Sequence, residues 1–217
     1  MKPLGLFGGT FDPIHFGHLR TAFELVDVLD LERVAFIPAG DPPHRAAPAA
    51  GAALRLAMVE AAVGDEPRFF VDDREVRRAG RSYTVLTLEE LRRERGEQPL
   101  VLIIGMDAFA GLPTWHRWGE LLCLAHIVVA HRPGATLPVA GELAAWLGQH
   151  VTDDPAALGR SPAGGVFVHA GTQLDIASTE VRDVLRSGED PRYLMPEAVR
   201  RMILSTGVYA RQREDEG

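Results

Sequence analysis

Leu4-Gly5-Leu6-Phe7-Gly8-Gly9-Thr10-Phe11-Asp12-Pro13-Ile14-His15-Phe16-Gly17-His18 runs from a short apolar segment through a glycine turn into the head of a helix. Residues 4–7 have the character of a buried strand. Residues 17–30 predict a helix, with Leu19, Ala22, Phe23, Val26 and Leu29 on one stripe. In an open parallel sheet, the edge where a strand gives way to its helix is where ligands bind. Gly8 and Gly9 allow a tight turn with exposed amides, and the helix beginning near Gly17 aims its positive end at the same spot. An anion is expected there, held by Gly8, Gly9 and Thr10 and by His15 and His18. The two histidines stand three residues apart, so both rings can face it. Gly17 removes a side chain that would block the approach. The turn has no G-x-G-x-x-G, and the second strand closes on Phe36-Ile37-Pro38 without an acidic residue, so a bound NAD cofactor is disfavoured.

Outward from this stretch, strand-like and helix-like segments alternate with no Gly/Ser linker between them. Strands are expected at 34–37, 69–71, 100–104, 126–130 and 166–169, with 100–104 the most continuously apolar and therefore central. Residues 38–48 are proline-rich and form a loop. A helix carrying Leu54, Ala57, Met58 and Ala61 follows, then helices at 84–95, 115–122 and 142–149. Two more close the chain, at 179–186 before Gly188 and at 196–204 before Gly207. The expected fold is α/β: a Rossmann-like, doubly wound, mostly parallel sheet with helices on both faces and a small C-terminal helical portion. It forms one domain over residues 1–217, the helices from about 178 packed on it.

Composition narrows the chemistry. The 217 residues are 46% hydrophobic and 24% charged, enough for a core, and no apolar run approaches the ~20 residues of a membrane helix. No secretory leader pattern is visible, so a cytoplasmic address is expected, without a membrane partner. The single cysteine, Cys123, cannot form an intrachain disulfide and is expected to serve packing. A net charge of −7 without a basic tract argues against nucleic acid as a partner. The sequence permits a homo-oligomer. Lys2 is the only lysine, which removes phosphate-binding loops ending in Gly-Lys, pyridoxal Schiff bases and self-adenylylating ligases. Phosphates must be handled by arginine, histidine and backbone amides.

A second segment, Ile176-Ala177-Ser178-Thr179-Glu180-Val181-Arg182, opens a helix about 160 residues after the first, with Ser178 a natural N-cap and Arg182 one turn inward. Together the two segments resemble the paired motifs of the nucleotidyltransferase superfamily, which transfers nucleoside monophosphate from a triphosphate. Between them the likeness narrows to the nicotinate-nucleotide adenylyltransferases of bacteria. It is carried by Pro42-Pro43-His44-Arg45, Ser82-Tyr83-Thr84, Ile103-Ile104-Gly105-Met106-Asp107 and Pro113-Thr114-Trp115, in the family's order. The resemblance covers the chain from Leu4 to about Tyr209.

The resemblance implies transfer of AMP from ATP to nicotinate mononucleotide, giving deamido-NAD and pyrophosphate. It implies ATP contacts at Gly8, Gly9, Thr10, His15, His18, Gly105, Asp107, Ile176, Ser178, Thr179 and Arg182, with His15, His18 and Arg182 catalytic. The mononucleotide would contact His44, Arg45, Ser82, Tyr83, Thr84, Trp115 and His116. Asp107 would accept from a ribose hydroxyl, and amides near Thr84 and His116 would meet the nicotinate carboxylate. Mg²⁺ would arrive with ATP, and the sequence shows no protein cage for it. Ala177 stands where the family often has serine, and His116 where tyrosine is frequent. The alternatives are an adenylyl- or cytidylyltransferase for another phosphorylated acceptor, such as phosphopantetheine or glycerol phosphate, and a nucleotide-sensing domain without turnover.

Overall fold

The computed structural model describes residues 1–43, 47–131, 137–172 and 174–210. Its strands are β1 (Leu4–Gly9), β2 (Arg33–Pro38), β3 (Phe69–Val71), β4 (Leu100–Gly105), β5 (His126–His131), β6 (Val151–Thr152) and β7 (Val166–Ala170). They form one sheet in the order β3-β2-β1-β4-β5-β7-β6. Every pairing is parallel, so among the described residues the sheet is wholly parallel where the sequence predicts a mostly parallel one.

Parallel strands bury both faces, and their apolar runs divide by alternation. Phe7, Val34, Phe36, Val101, Ile103 and Val128 lie in one core, with α1 (Phe16–Val28), α2 (Ala52–Val63), α8 (Ser178–Arg186) and α9 (Glu197–Thr206). Leu4, Leu6, Ala35, Ile37, Leu102, Ile104, Ile127 and Val129 lie in the other. There they meet α4 (Thr84–Arg95), α5 (Met106–Ala110), α6 (Leu121–Leu124) and α7 (Glu142–His150). A single turn, α3 (Arg74–Arg77), follows β3. The chain steps from β1 to β2 and β3, then crosses back to β4 on the far side of β1. The winding therefore reverses between β1 and β4, which opens a crevice at the carboxyl ends of those two strands.

Several expectations are corrected. Residues 115–122 are not one helix: Arg117 takes a left-handed conformation (φ 54°), and only a 3-10 turn at Trp118–Glu120 and the short α6 follow it. Phe23 lies off the buried stripe of α1, which is Ala22, Leu25 and Val26; its exposed ring carries the Arg68 guanidinium 4.5 Å above its centre. The buried face of α2 is Arg55, Met58, Val59 and Val63, so an arginine occupies the centre of an apolar stripe. Cys123 is exposed, because α6 turns Leu121 and Leu122 inward instead. β6, α3 and α5 are too short for periodicity to reveal. No helix among the described residues is long and apolar enough to cross a membrane.

Candidate active site

The first motif forms the carboxyl end of β1 and the turn into α1. Gly8 is exposed at the strand end and Thr10 half-buried behind it. Phe11 adopts a left-handed backbone (φ 49°), rare for a bulky residue. Its buried ring packs edge-on to Phe7 and His18, with centroids 5.9 and 5.1 Å apart. A cis peptide joins Asp12 to Pro13.

His15 is the N-cap of α1 and is buried, and His18 sits one turn in, half-buried. Their rings lie 3.8 Å apart between centroids. The His15 backbone N–H donates to His18 Nδ1 at 3.3 Å. Nδ1 is thereby an acceptor, which leaves the neutral ring's proton on Nε2, the tautomer suited to donating to a phosphate oxygen. A Cβ on Gly17 would stand 2.9 Å from His15 Nδ1 and 3.3 Å from the Ile176 carbonyl. The glycine lets the His15 ring and the second motif close on the helix.

That second motif docks directly on the first. Ser178 Oγ donates to the Pro13 carbonyl at 3.0 Å, and Arg182 Nη1 to the Asp12 carbonyl at 2.6 Å. Arg182 Nη2 reaches Thr179 Oγ1 at 3.3 Å. The N-cap of α8 is Ala177, not Ser178 as the sequence suggests, and its N–H donates to Glu180 Oε2 at 3.0 Å. Ala177 has no polar side chain of its own to cap the first turn of α8. Ser178 is released from capping to tie the two motifs together. Ile176 packs against the core shared by α1 and α8.

Across the sheet reversal, the pairing of β1 with β4 ends at Phe7 and Ile103, two residues short of Gly9 and Gly105 at the strand ends. Gly105 is the N-cap of α5, and Asp107 is exposed in that helix's first turn. The structure thus brings Gly8, Gly9, Thr10, His15, His18, Ser178, Thr179 and Arg182 together at the carboxyl end of β1, with Gly105 at the same edge of the sheet on β4.

Of the other predicted residues, Ser82, Tyr83 and Thr84 stand at the start of α4, and Trp115 and His116 follow α5. Tyr83 is the N-cap of α4, without a side-chain cap, and its ring lies 4.5 Å from that of His116. This brings the segments at 82–84 and 115–116 together, with Trp115 half-buried beneath them. Ser82 is buried, and its Oγ accepts from the amides of Gly40 and Asp41 at 2.8 and 3.3 Å. It anchors the loop after β2. Behind it, Glu75 accepts from Thr87 Oγ1 at 2.6 Å; burial pushes its carboxyl above the ordinary range against the hydrogen bonds from Thr87 and Ser82. Gly40 leaves no room for a side chain: a Cβ would stand 2.2 Å from the Glu75 carbonyl. His44 and Arg45 lie outside the described residues.

Sequence reasoning missed Asp12, Arg55 and Tyr209, which meet beneath the first turn. Asp12 accepts from the amides of Ala49 and Ala50 at 2.9 and 3.0 Å and from Tyr209 Oη at 2.6 Å. Burial raises the Tyr209 hydroxyl well above its ordinary pKa, with the bond to Asp12 adding to it. Burial also lowers the Arg55 guanidinium, opposed by the charge of Asp12. The available signal was an arginine inside the apolar run Leu54-Arg55-Leu56-Ala57-Met58.

A cytidylyltransferase-like family model matches residues 6–184. Among curated proteins, the chain is 49% identical over 212 residues to a "Probable nicotinate-nucleotide adenylyltransferase" of Dechloromonas aromatica, covering 96% of this chain and 98% of that one. A protein of the same name from Methylococcus capsulatus is 44% identical over 209 residues, covering 96% and 100%. Among solved structures, Plasmodium falciparum nicotinic acid mononucleotide adenylyltransferase complexed with NaAD aligns with a TM-score of 0.74 at 13% identity, over 96% of this chain and 98% of that one.

Proposed function

The chain belongs to the cytidylyltransferase-like family and, within it, to the nicotinate-nucleotide adenylyltransferases, and from that membership we propose how its own residues carry the reaction. The enzyme transfers AMP from ATP to nicotinate mononucleotide, giving deamido-NAD and pyrophosphate. A phosphate oxygen of the mononucleotide forms a bond to the α-phosphorus in line, and the bond from that phosphorus to the pyrophosphate oxygen breaks. The nucleophile is already an anion near neutral pH, so no general base and no enzyme nucleophile is required. Catalysis reduces to holding two anions in register and absorbing charge on the leaving pyrophosphate.

The observation that carries this assignment is the docking of the second motif on the first, through Ser178 to Pro13 and Arg182 to Asp12. It sets the N-termini of α1 and α8 at one strand edge, with both histidines and Arg182 among them. Two helix ends and a guanidinium make an anion site at the sheet reversal. In our reading the triphosphate lies there, Asp107 takes a ribose hydroxyl, and the acceptor ring lies by Trp115, with the amides at Thr84 and His116 toward its carboxylate. His44 and Arg45, outside the described residues, are assigned to the acceptor by the family resemblance alone. Among the described residues no three His, Cys, Asp or Glu side chains gather as a metal cage. We infer that a Mg²⁺ ion would arrive with ATP, held by its phosphate oxygens. The site of action is the cytoplasm, where ATP is available.

The test is pyrophosphate release from ATP or CTP with a panel of acceptors: nicotinate mononucleotide, phosphopantetheine and glycerol 3-phosphate. Release with ATP and nicotinate mononucleotide is expected to dominate. Faster release with another acceptor would reassign the enzyme within its superfamily, and none with any acceptor would leave a nucleotide sensor.

A further inference from the structure

Arg55 is the most buried cation among the described residues, at 1% exposure. Its hydrogen bonds go to backbone carbonyls of three separate segments. Nη1 donates to Thr10 at 2.6 Å, Nη2 to Gly40 at 3.0 Å and Nε to Ala50 at 3.0 Å. Such a charge is costly to bury, and a hydrophobic residue of similar volume would often serve stability as well. What an apolar side chain cannot do is fix three carbonyls at once with a planar fork.

Those carbonyls belong to the two sides of the reaction. Thr10 is in the turn assigned to the triphosphate. Gly40 begins the loop whose next amide, Asp41 N, donates to Ser82 of the acceptor segment. Because a trans peptide sets its C=O and N–H in opposite directions, holding the Thr10 and Gly40 carbonyls also fixes the amides of Phe11 and Asp41. Ala50, held by Arg55 through its carbonyl, also donates its N–H to Asp12. The hydroxyl of Tyr209, past the end of α9, closes on the same carboxylate.

We propose that Arg55, supported by Asp12 and Tyr209, is a positioning residue for the transfer step, setting the distance between the triphosphate turn and the acceptor loop. This rests on the functional assignment above. An in-line displacement is sensitive to that distance, whereas each nucleotide's own binding depends on one side alone. Loss of the brace should therefore appear in turnover and spare the separate affinities.

The test compares wild type with Arg55→Lys and Tyr209→Phe. It measures kcat per folded protein and the separate dissociation constants of nicotinate mononucleotide and of a non-hydrolysable ATP analogue. Lysine keeps the charge but offers a point donor, so kcat should fall about 30-fold or more while each dissociation constant moves less than about threefold. Tyr209→Phe keeps the ring and removes one donor, and should show the same split at about 3–10-fold in kcat. It carries the test alone if the lysine variant does not fold. Unchanged kcat per folded protein, or losses that fall on the affinities, would overturn the positioning role. Wild type that releases no pyrophosphate would instead overturn the functional assignment and this inference with it.

Discussion

The tautomer of His18 decides what that residue can do. With Nδ1 accepting from the His15 N–H, Nε2 is the donor, and its bond to a triphosphate oxygen should strengthen as charge moves onto the leaving group. His18→Ala should lower kcat by roughly 10² or more while weakening binding of a non-hydrolysable ATP analogue far less. Steady-state kinetics with a separate binding titration decides this; a change confined to KM would mean His18 only grips the substrate. Arg182 spans the Asp12 carbonyl and Thr179 Oγ1 with its two terminal nitrogens, the geometry of a fork rather than a point charge. Arg182→Lys should recover only part of the kcat/KM lost in Arg182→Ala. Wild-type kinetics in the lysine variant would leave simple electrostatics.

Helix starts do most of the work one level up. α1 can seat the His15 ring against the second motif only because Gly17 has no Cβ. Gly17→Ala adds helix propensity but must displace the imidazole or the Ile176 carbonyl. It should leave the melting temperature within a few degrees of wild type and cut kcat/KM about tenfold or more, since small misplacements at a reacting centre are costly. A fully active Gly17→Ala variant would show that His15 need not hold its place. At α4, Tyr83 leaves the first turn without a side-chain cap, so amide donors are available beside His116. Donors suit a carboxylate, whereas a carboxamide would turn its own NH₂ toward one of them. That mismatch costs ~1–3 kcal/mol, more for a lost charged partner, so nicotinate mononucleotide should be preferred over the nicotinamide form by at least ~10² in kcat/KM. Assay of both acceptors at saturating ATP gives the ratio, and a value near unity would mean that the enzyme reads only the ring.

At the scale of the whole molecule, His126 couples stability to pH. It is buried on β5, with Nε2 donating to the Ser161 carbonyl at 2.8 Å and Nδ1 accepting from Gly165 N at 2.9 Å. Accepting from Gly165 requires the neutral ring, whereas Nε2 can donate to Ser161 in either state, and burial lowers the ring's pKa in the fold. The unfolded chain then binds the proton more readily, so this contribution is intact above the ordinary histidine value of about 6.5 and is lost progressively as pH falls from there through the lowered pKa of the folded state. The urea midpoint should drop between pH 7.5 and 5.5 in wild type, and drop less in His126→Gln. Parallel pH profiles for the two proteins would assign the dependence elsewhere. The sequence by itself determined the parallel α/β layering and the pairing of the two motifs. Strand runs such as 100–104 are apolar on both faces, and a glycine turn with two histidines three apart at a strand-to-helix junction has few other uses. The stripe of α2 could not be read the same way, because periodicity sees an arginine among leucines as a break and cannot see the carbonyls of Thr10, Gly40 and Ala50 that satisfy it. Ser82 likewise reads as a cap or a ligand, and only the fold brings the amides of Gly40 and Asp41 to its hydroxyl. Side-chain pattern is local and survives in the sequence. A buried polar group is settled by partners tens of residues away, as Asp12 is by Tyr209, and those exist only once the chain has closed on itself.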